Sequence, residues 1–401
     1  MIKKLMIIFI ALTLMFGLAT GCAQPEAPEP TPEPEAPEPE EAVNGEIVVG
    51  SVMCLSGALG PMGEKIGKAV ELAVEEINEA GGVNGKMIRL ITEDDATESA
   101  RSLEAVRKLV EVNGANFIVG PMTSGSVDTV GPFVSERQVL LISPSSTAEM
   151  LTGRDFRDYV FRTTVSDGFQ GRIMAQLAVD EGVETAVIFT MDNTYGVGLG
   201  DVAQEALEEA GVEILANIKY DEKTLDYLSE LAQIGNLAPD VVIHVGYNED
   251  GKVVYRQALE AGLEDILWVA PDGIHGAGTL EDPSAAIFME EAVIGTRPVG
   301  DTDADKYLEF VEKYEAAFGF SPDVFTDTAY DAMHLLALAM EEAGSEDPTE
   351  VREALLTVAD AYEGASGTIT LNEGGDRISG LYEVWEVVDG QNVQMKIIEV
   401  E

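Results

Sequence analysis

The sequence predicts an α/β fold built from two successive lobes, and two patterns beyond residue 45 carry this prediction. Short apolar runs typical of strands alternate with longer segments whose apolar residues recur at helical spacing. This alternation is typical of parallel sheets covered by helices. It pauses at Arg162-Thr163-Thr164 and then restarts, so we expect one lobe on each side of this point.

The elements of the first lobe follow one another closely. A strand at Ile47-Val48-Val49 precedes a helix that runs through Ile66 to Ile77 and stops at Gly81-Gly82. After a strand over Met87 to Thr92, we predict a helix around Leu103 to Val110, a strand at Phe117 to Val119, a short helix and a strand at Val139 to Ile142.

The second lobe repeats the pattern before the chain returns to helix. Its strands are predicted at Ala186 to Thr190, Ile214 to Ile218, Val241 to Val245 and Ile266 to Val269. Helix is predicted from Tyr307 to about Thr357, followed by strands at Gly367 to Leu371, Leu381 to Val387 and Val393 to Val400. These late elements are expected to be shared between the lobes.

Composition and motifs exclude several classes of function. The 401 residues carry 24 Lys and Arg against 73 Asp and Glu, a net charge of −49, which excludes a protein that binds nucleic acid through its phosphates. Two cysteines, Cys22 and Cys54, are too few for a disulfide framework or a thiolate metal site. No metal, phosphate, dinucleotide or nucleophile-elbow motif occurs. We therefore expect no catalytic residue, no metal and no cofactor.

The amino terminus predicts a secreted, lipid-anchored protein. Lys3 and Lys4 precede an apolar run to Ala19, and small residues then lead to Cys22, so residues 1–22 are interpreted as a lipoprotein signal peptide. The alternative is an N-terminal membrane helix with an incidental cysteine. Residues 23–45 follow as a tether, because the stretch 23–42 holds 7 Pro and 7 Glu and cannot form a core.

Small hydroxyl residues follow two neighbouring strands of the first lobe. The strand ending at Val119 is followed by Gly120 to Gly125, and the strand ending at Ile142 is followed by Ser143 to Thr147. Hydroxyls beside a helix start suit an anion such as a carboxylate, because free N–H groups and the helix dipole favour negative charge there. The alternative is that Ser124 and Thr147 are ordinary helix caps.

An acid follows a strand of the second lobe. Ala270-Pro271-Asp272-Gly273 places a carboxylate where it could accept an ammonium, although Asp before Gly is also usual turn chemistry. Together with the hydroxyl loops of the first lobe, Asp272 predicts a clamp for a zwitterion.

Several short motifs are spread over the chain from Glu46 to Val400. They are Leu55-Ser56-Gly57, residues 77–86 (INEAGGVNGK), Glu93-Asp94-Asp95, Gly120-Pro121 with Ser124-Gly125, Ser143-Pro144, Ala329-Tyr330-Asp331-Ala332, Gly367-Thr368-Ile369 and Gly375-Asp376-Arg377. This set resembles the type I periplasmic binding proteins of the branched-chain amino-acid-binding family, the receptor subunits of ABC importers. The resemblance implies two Rossmann-like lobes joined by a three-segment hinge.

The resemblance also implies roles for individual residues. Ser124 matches the serine that holds the ligand carboxylate, and Asp272 falls where leucine-type binders carry a glutamate for the ammonium. Ser145 and Thr147 match positions that give a carbonyl to the ammonium and donors to the carboxylate, and Tyr195 matches an aromatic closing residue of the second lobe. Three further residues are expected in the pocket, although they match the family pattern less well. Met62 stands where an aromatic residue is common, and His244 falls near another aromatic position. Phe325 is the third, and a position in the core is its alternative.

These observations lead to one expected architecture and function. We expect lobe 1 to span residues 46–163 plus 298–370 and lobe 2 residues 164–297 plus 371–401, with crossings near Thr163, near Arg297 and between about Gly364 and Glu383. The protein is expected to be a monomer, lipid-anchored at Cys22 outside the cytoplasm. It would bind an apolar amino acid and deliver it to an ABC permease and, through it, to the ATPase.

The sequence leaves alternative functions open. A short amide, urea or an aromatic carboxylate could replace the amino acid, and a ligand-sensing subunit could replace the transport receptor. A remote alternative is a secreted hydrolase with Ser124 as nucleophile and His244 or His275 as base.

The anchor is testable in a host that processes lipoproteins. The wild type should partition into membranes, whereas Cys22→Ser should not, because the serine cannot be lipidated. Membrane fractionation and immunoblotting measure the difference. Equal release of both proteins into the soluble fraction would contradict the assignment of residues 1–22.

Overall fold

The computed structural model describes residues 45–401 apart from Glu222, and these form two large sheets flanked by helices and one small two-stranded sheet. The signal peptide and nearly all of the tether that we predicted lie outside this range. No helix within it is long and apolar enough to cross a membrane. The predicted α/β fold with two lobes and parallel sheets is confirmed.

The first sheet has five parallel strands in the order β2-β1-β3-β4-β5. Both of its faces are covered, because alternate strand residues pack against the first and eleventh helices in one apolar cluster and against the second and third helices in another. The elements in chain order are β1 (Glu46–Met53), α1 (Gly60–Glu79), β2 (Met87–Asp94), α2 (Ser99–Glu111), β3 (Phe117–Val119), α3 (Ser124–Arg137), β4 (Leu140–Ser143) and β5 (Val160–Arg162).

The second sheet has seven strands in the order β14-β13-β10-β9-β8-β6-β7. Five strands are parallel, and the last two add an antiparallel edge. The first group of elements is α4 (Asp167–Asp180), β6 (Thr185–Met191), α5 (Thr194–Glu209), β7 (Glu213–Tyr220), α6 (Leu228–Leu237), β8 (Val241–Val245), α7 (Asn248–Glu260), β9 (Leu267–Ala270), α8 (Ala277–Leu280), α9 (Pro283–Ala292) and β10 (Val293–Val299).

The remaining chain contributes to both sheets. Three helices return to the first sheet, where the second of them packs on α1, and the final hairpin joins the second sheet. These elements are α10 (Asp305–Phe318), α11 (Thr326–Ala343), α12 (Pro348–Val358), β11 (Tyr362–Gly364), β12 (Gly367–Ile369), β13 (Gly380–Val388) and β14 (Gln391–Val400).

Strand β10 is an element that we did not predict. It contains Gly295 and Pro298, which are poor strand formers. Gly295 is required because a Cβ there would lie 2.1 Å from the indole of Trp385 on β13. Pro298 lies beyond the residues that pair with β9, so its missing N–H costs no hydrogen bond to that strand. Tertiary packing therefore makes a strand from a sequence with weak local preference.

Two of the segments that cross between the sheets are held together by buried charges. The Asp376 carboxylate accepts hydrogen bonds from Arg157 Nη2 at 2.5 Å and Arg162 Nε at 2.7 Å, and all three side chains are buried. Arg377 donates to the carbonyls of Thr163, Ser366, Thr368 and Ser379 at 2.8–3.1 Å. The segment after β12 is thus fixed against the segment after β5.

This network predicts a large loss of stability in Asp376→Ala. The substitution leaves two buried guanidinium groups without their carboxylate, which should lower the free energy of unfolding by about 3–5 kcal/mol. Urea denaturation followed by circular dichroism measures the loss. Glu373→Ala, an exposed acid three residues earlier, should change stability by less than about 0.5 kcal/mol. Equal stability of the two variants would contradict the role of Asp376.

Candidate ligand-binding site

A pocket lies where the carboxyl ends of strands from both sheets face each other. It encloses about 360 Å³ of empty space, part of it open to solvent. This position follows from the parallel topology, because loops after parallel strands converge at one edge of a sheet. The first lobe lines the pocket with Leu59, Met62, Met122, Thr123, Ser124, Ser145, Thr147 and Phe325, and the second with Tyr195, Tyr247, Asp272 and Gly273.

The hydroxyl loops of the first lobe meet at one side of this pocket. Thr123, not Ser124, caps helix α3, since the Thr123 side chain accepts from the N–H of Ser126 at 3.2 Å. The Ser124 hydroxyl instead accepts from the N–H of Ala148 at 3.2 Å and links the two loops. Ser145 donates its hydroxyl to the carbonyl of Met122 at 3.1 Å. The alternative of Ser124 as a helix cap is therefore wrong.

Thr147 carries a buried hydroxyl at the same side. Its side chain is 1% exposed, and its oxygen makes no hydrogen bond of good geometry to the described residues. It does not cap the short turn that follows, which begins at Glu149. Buried hydroxyls are usually hydrogen-bonded to protein or to ordered water, and the carboxylate of Asp167 lies beside this one.

The Asp272 carboxylate faces the pocket from the second lobe. It is buried in a turn after β9, where Tyr195 Oη donates to Asp272 Oδ1 at 3.0 Å. Burial raises the pKa of Asp272 to about 6, although hydrogen bonds and the charge of Arg297 act in the opposite direction. Asp272 is therefore poised to gain from a cation placed beside it.

Aromatic and sulfur-containing side chains form the walls. Tyr195 and Tyr247 lie parallel, with ring centroids 5.6 Å apart and an interplanar angle of 3°. Met62, Met122 and Phe325 contribute apolar surface from the first lobe. Phe325 thus lines the pocket and also occupies the residue before α11.

His244 is not in the pocket, and our placement of it there needs correction. Its side chain lies in the core of the second sheet, where its nitrogens are 3.1 Å from Tyr220 Oη and 3.0 Å from Tyr255 Oη. Burial lowers its pKa to about 3, so it is neutral. The aromatic that reaches the pocket is Tyr247, which follows β8, whereas His244 lies within that strand and its side chain points to the covering helices.

The structure brings together seven of the eight residues that we predicted. Ser124, Ser145, Thr147, Tyr195, Asp272, Met62 and Phe325 all line the same pocket. Sequence reasoning missed Tyr247, although its place directly after a strand was a usable signal. Over the described range, no group of three His, Cys, Asp or Glu side chains is arranged to hold a metal ion.

Comparisons with known proteins agree with this geometry. The family model described as periplasmic binding protein matches residues 46–392. A relative from Brucella melitensis biotype 1, Leu/Ile/Val-binding protein homolog 3, is 29% identical, and the match covers 88% of this chain and 95% of the relative.

Two solved structures share the fold. One is the branched-chain amino-acid transporter substrate-binding protein LivJ from Streptococcus pneumoniae in complex with isoleucine, with a TM-score of 0.79, 25% identity and coverage of 88% of this chain and 99% of that one. The other is an ABC-transporter solute-binding protein from R. palustris in complex with benzoate, with a TM-score of 0.78, 23% identity and coverage of 88% and 96%. With a family model covering most of its length, this chain belongs to the type I periplasmic binding proteins of the branched-chain amino-acid-binding family.

Proposed function

We propose that this chain binds an apolar α-amino acid of the branched-chain type between its lobes and delivers it to the permease of an ABC importer. The observation that carries the proposal is the opposed chemistry of the pocket, with hydroxyl donors on one lobe and a buried acid on the other. A zwitterion is complementary to both sides at once.

The carboxylate of the ligand would lie against the first lobe. The hydroxyls of Ser124 and Thr147 stand beside the start of α3, a 14-residue helix whose first turn offers N–H groups and a positive dipole end. The Thr147 hydroxyl, which makes no hydrogen bond of good geometry to the described residues, would gain an acceptor there. Ser145, whose side chain is already engaged with Met122, would act through its backbone carbonyl.

The ammonium and side chain of the ligand would occupy the rest of the pocket. Asp272 would pair with the ammonium, and Tyr195 would hold that carboxylate in place through its 3.0 Å hydrogen bond. An aliphatic side chain would contact Leu59, Met62 and Phe325. Because the methionine side chain is flexible, this wall can adapt to aliphatic side chains of several shapes.

Closure of the lobes would trap the ligand. Sheet-to-sheet crossings follow β5, β10 and β12, and a few residues at element ends can absorb a hinge rotation. We propose that these segments form the hinge and that lipid at Cys22 holds the receptor near its permease. Radiolabelled uptake by cells with and without this gene would separate transport from a sensing role.

A hydrolase centred on Ser124 finds no support. The Ser124 hydroxyl is paired with the N–H of Ala148, and His244 is held in the core by two tyrosines. His275 lies with its Nε2 3.7 Å from Glu383 and its ring against Trp385. We propose that the protein performs no covalent chemistry, and incubation with ester and amide substrates tests this directly.

The carboxylate subsite is tested by removing single hydroxyls. Ser124→Ala and Thr147→Val should each weaken binding of leucine by about 10- to 150-fold, because a hydrogen bond to a charged group contributes about 1.5–3 kcal/mol. Titration calorimetry gives the dissociation constants. Thr147→Ser, which keeps the hydroxyl, should restore most of the affinity. Binding by Thr147→Val that matches the wild type would remove Thr147 from the site.

The ammonium subsite is tested by a charge substitution. At about pH 8, Asp272→Asn should cost at least about 1.5 kcal/mol in binding leucine, the scale of a charge-assisted hydrogen bond. It should leave the des-amino analogue of leucine unchanged or improved, because that analogue brings no cation and its carboxylate would be repelled by Asp272.

A matched control lies near the same strand. Asp265→Asn changes an exposed acid at the opposite end of β9 and should bind leucine like the wild type. If Asp272→Asn binds leucine undiminished, or if screening finds a ligand without an amine, the amino-acid proposal fails. Short amides, urea and aromatic carboxylates then become the leading candidates.

A further inference from the structure

A second buried carboxylate, Asp167, lies behind the pocket. It is the first residue of α4, and its side chain is 0% exposed. Its N–H donates to the carbonyl of the pocket residue Thr147 at 2.8 Å, which fixes Asp167 next to that loop. The Thr147 hydroxyl lies beside this carboxylate and lowers its pKa, but neither carboxylate oxygen makes a hydrogen bond of good geometry to the residues described. A bare carboxylate in such a position is costly unless it is protonated or paired with a cation.

The charges that face Asp167 do not supply this cation. It is flanked by Asp272 after β9, Glu149 in the turn after β4, Arg162 on β5, Tyr195 on α5 and Tyr382 on β13. Arg162 is the base in this group, but its donors are engaged elsewhere. They bind Asp376 at 2.6 and 2.7 Å, the carbonyls of Ser146 and Ala148, and the Thr152 hydroxyl.

Asp272 has the same deficit. It accepts a hydrogen bond from Tyr195, and the guanidinium that faces it, Arg297, already pairs with Glu383 at 2.7 Å. Two buried carboxylates therefore share a region in which the nearby guanidinium groups are paired with other acids. The region lacks one positive charge, which either a proton or a bound ammonium can provide.

We propose that Asp167 and Asp272 retain one proton between them in the ligand-free pocket, and that the ammonium of the bound amino acid displaces this proton into solvent. The inference rests on the proposed function, since it requires a cationic group on the ligand. Asp167 is a positioning residue that acts through Asp272 and the Thr147 loop, because it does not itself line the pocket. No covalent bond changes; one proton leaves as one ammonium arrives.

The direction of the pKa shifts is consistent with this exchange. Burial, followed by the charge of Asp272, raises the pKa of Asp167 well above its usual range, and burial raises that of Asp272 to about 6. An adjacent ammonium lowers both values, because it stabilises the ionised forms. Binding should therefore release a proton, and affinity should fall as pH drops through the raised values.

Calorimetry of leucine binding at about pH 6 tests the proposal. The binding enthalpies measured in phosphate and in MES buffer differ by the number of protons released multiplied by the difference between the ionisation enthalpies of the two buffers. The wild type should release up to about one proton per leucine. As the pH falls below this range, its dissociation constant should rise by up to about tenfold per pH unit, which is the slope of one linked proton.

Variants assign the proton to the pair. Asp167→Asn should release less than half as many protons as the wild type and should flatten the pH profile. Asp167→Glu, which keeps a titratable carboxyl, should retain both effects. Asp180→Asn, an exposed acid at the other end of α4, should behave like the wild type. If Asp167→Asn does not fold, the wild-type profile alone still decides whether a proton is released.

The outcomes separate this inference from the proposed function. One outcome is that the wild type binds leucine with an enthalpy that is the same in both buffers and a dissociation constant that does not change with pH. This result would refute the shared proton, while amino-acid binding would stand. Undiminished release by Asp167→Asn assigns the proton elsewhere and refutes the role of Asp167. If leucine, isoleucine and valine all fail to bind, both proposals fall together.

Discussion

An ionised side chain removed from water costs several kcal/mol unless the fold provides a partner, and this cost separates two kinds of carboxylate in the molecule. Asp376 has its partners built in, because two guanidinium groups converge on it between crossing segments. Asp272 and Asp167 have no such guanidinium partner of their own. The paired carboxylate of Asp376 stabilises the fold, whereas the carboxylates of Asp272 and Asp167 attract a cation to the pocket.

The two arrangements are connected through Arg162. Because its guanidinium is committed to Asp376 and to the carbonyls of Ser146 and Ala148, it organises the loop that carries Thr147 without neutralising the acids beside it. The same residue thus supports the segments that join the lobes and preserves the negative character of the pocket. The stability of the scaffold and the polarity of the site therefore depend on one side chain.

The fold was readable from sequence because hydrophobic periodicity is a local signal. The strands with strong apolar runs, such as β3, β4 and β8, lie where the pattern predicted them, whereas β10 was missed because its pairing is decided by Trp385, which lies 90 residues away in the chain. The strand-end loops were equally readable, since parallel topology fixes which edge they share. This is why Ser124, Thr147 and Asp272 could be named in advance.

What the sequence did not reveal depends on the direction in which side chains point. His244 and Tyr247 are three residues apart, and only the structure shows that the strand turns His244 into the core while the loop turns Tyr247 into the pocket. Asp167 resembles an ordinary acid in the first turn of a helix, and its significance comes from neighbours on five other strands, helices and turns. Similarly, the sequence alone does not show whether Thr123 or Ser124 caps α3, and the backbone conformation in the structure identifies Thr123 as the cap.

Phe325 imposes a constraint on how this receptor can evolve. Its backbone lies in the left-handed region, with φ of 65°, which costs a non-glycine residue on the order of 1 kcal/mol and is tolerated best by glycine and asparagine. Those two residues would relieve the backbone but would remove an aromatic wall of the pocket. Changes of ligand preference should therefore accumulate at positions such as Met62, on a regular helix, before they reach Phe325.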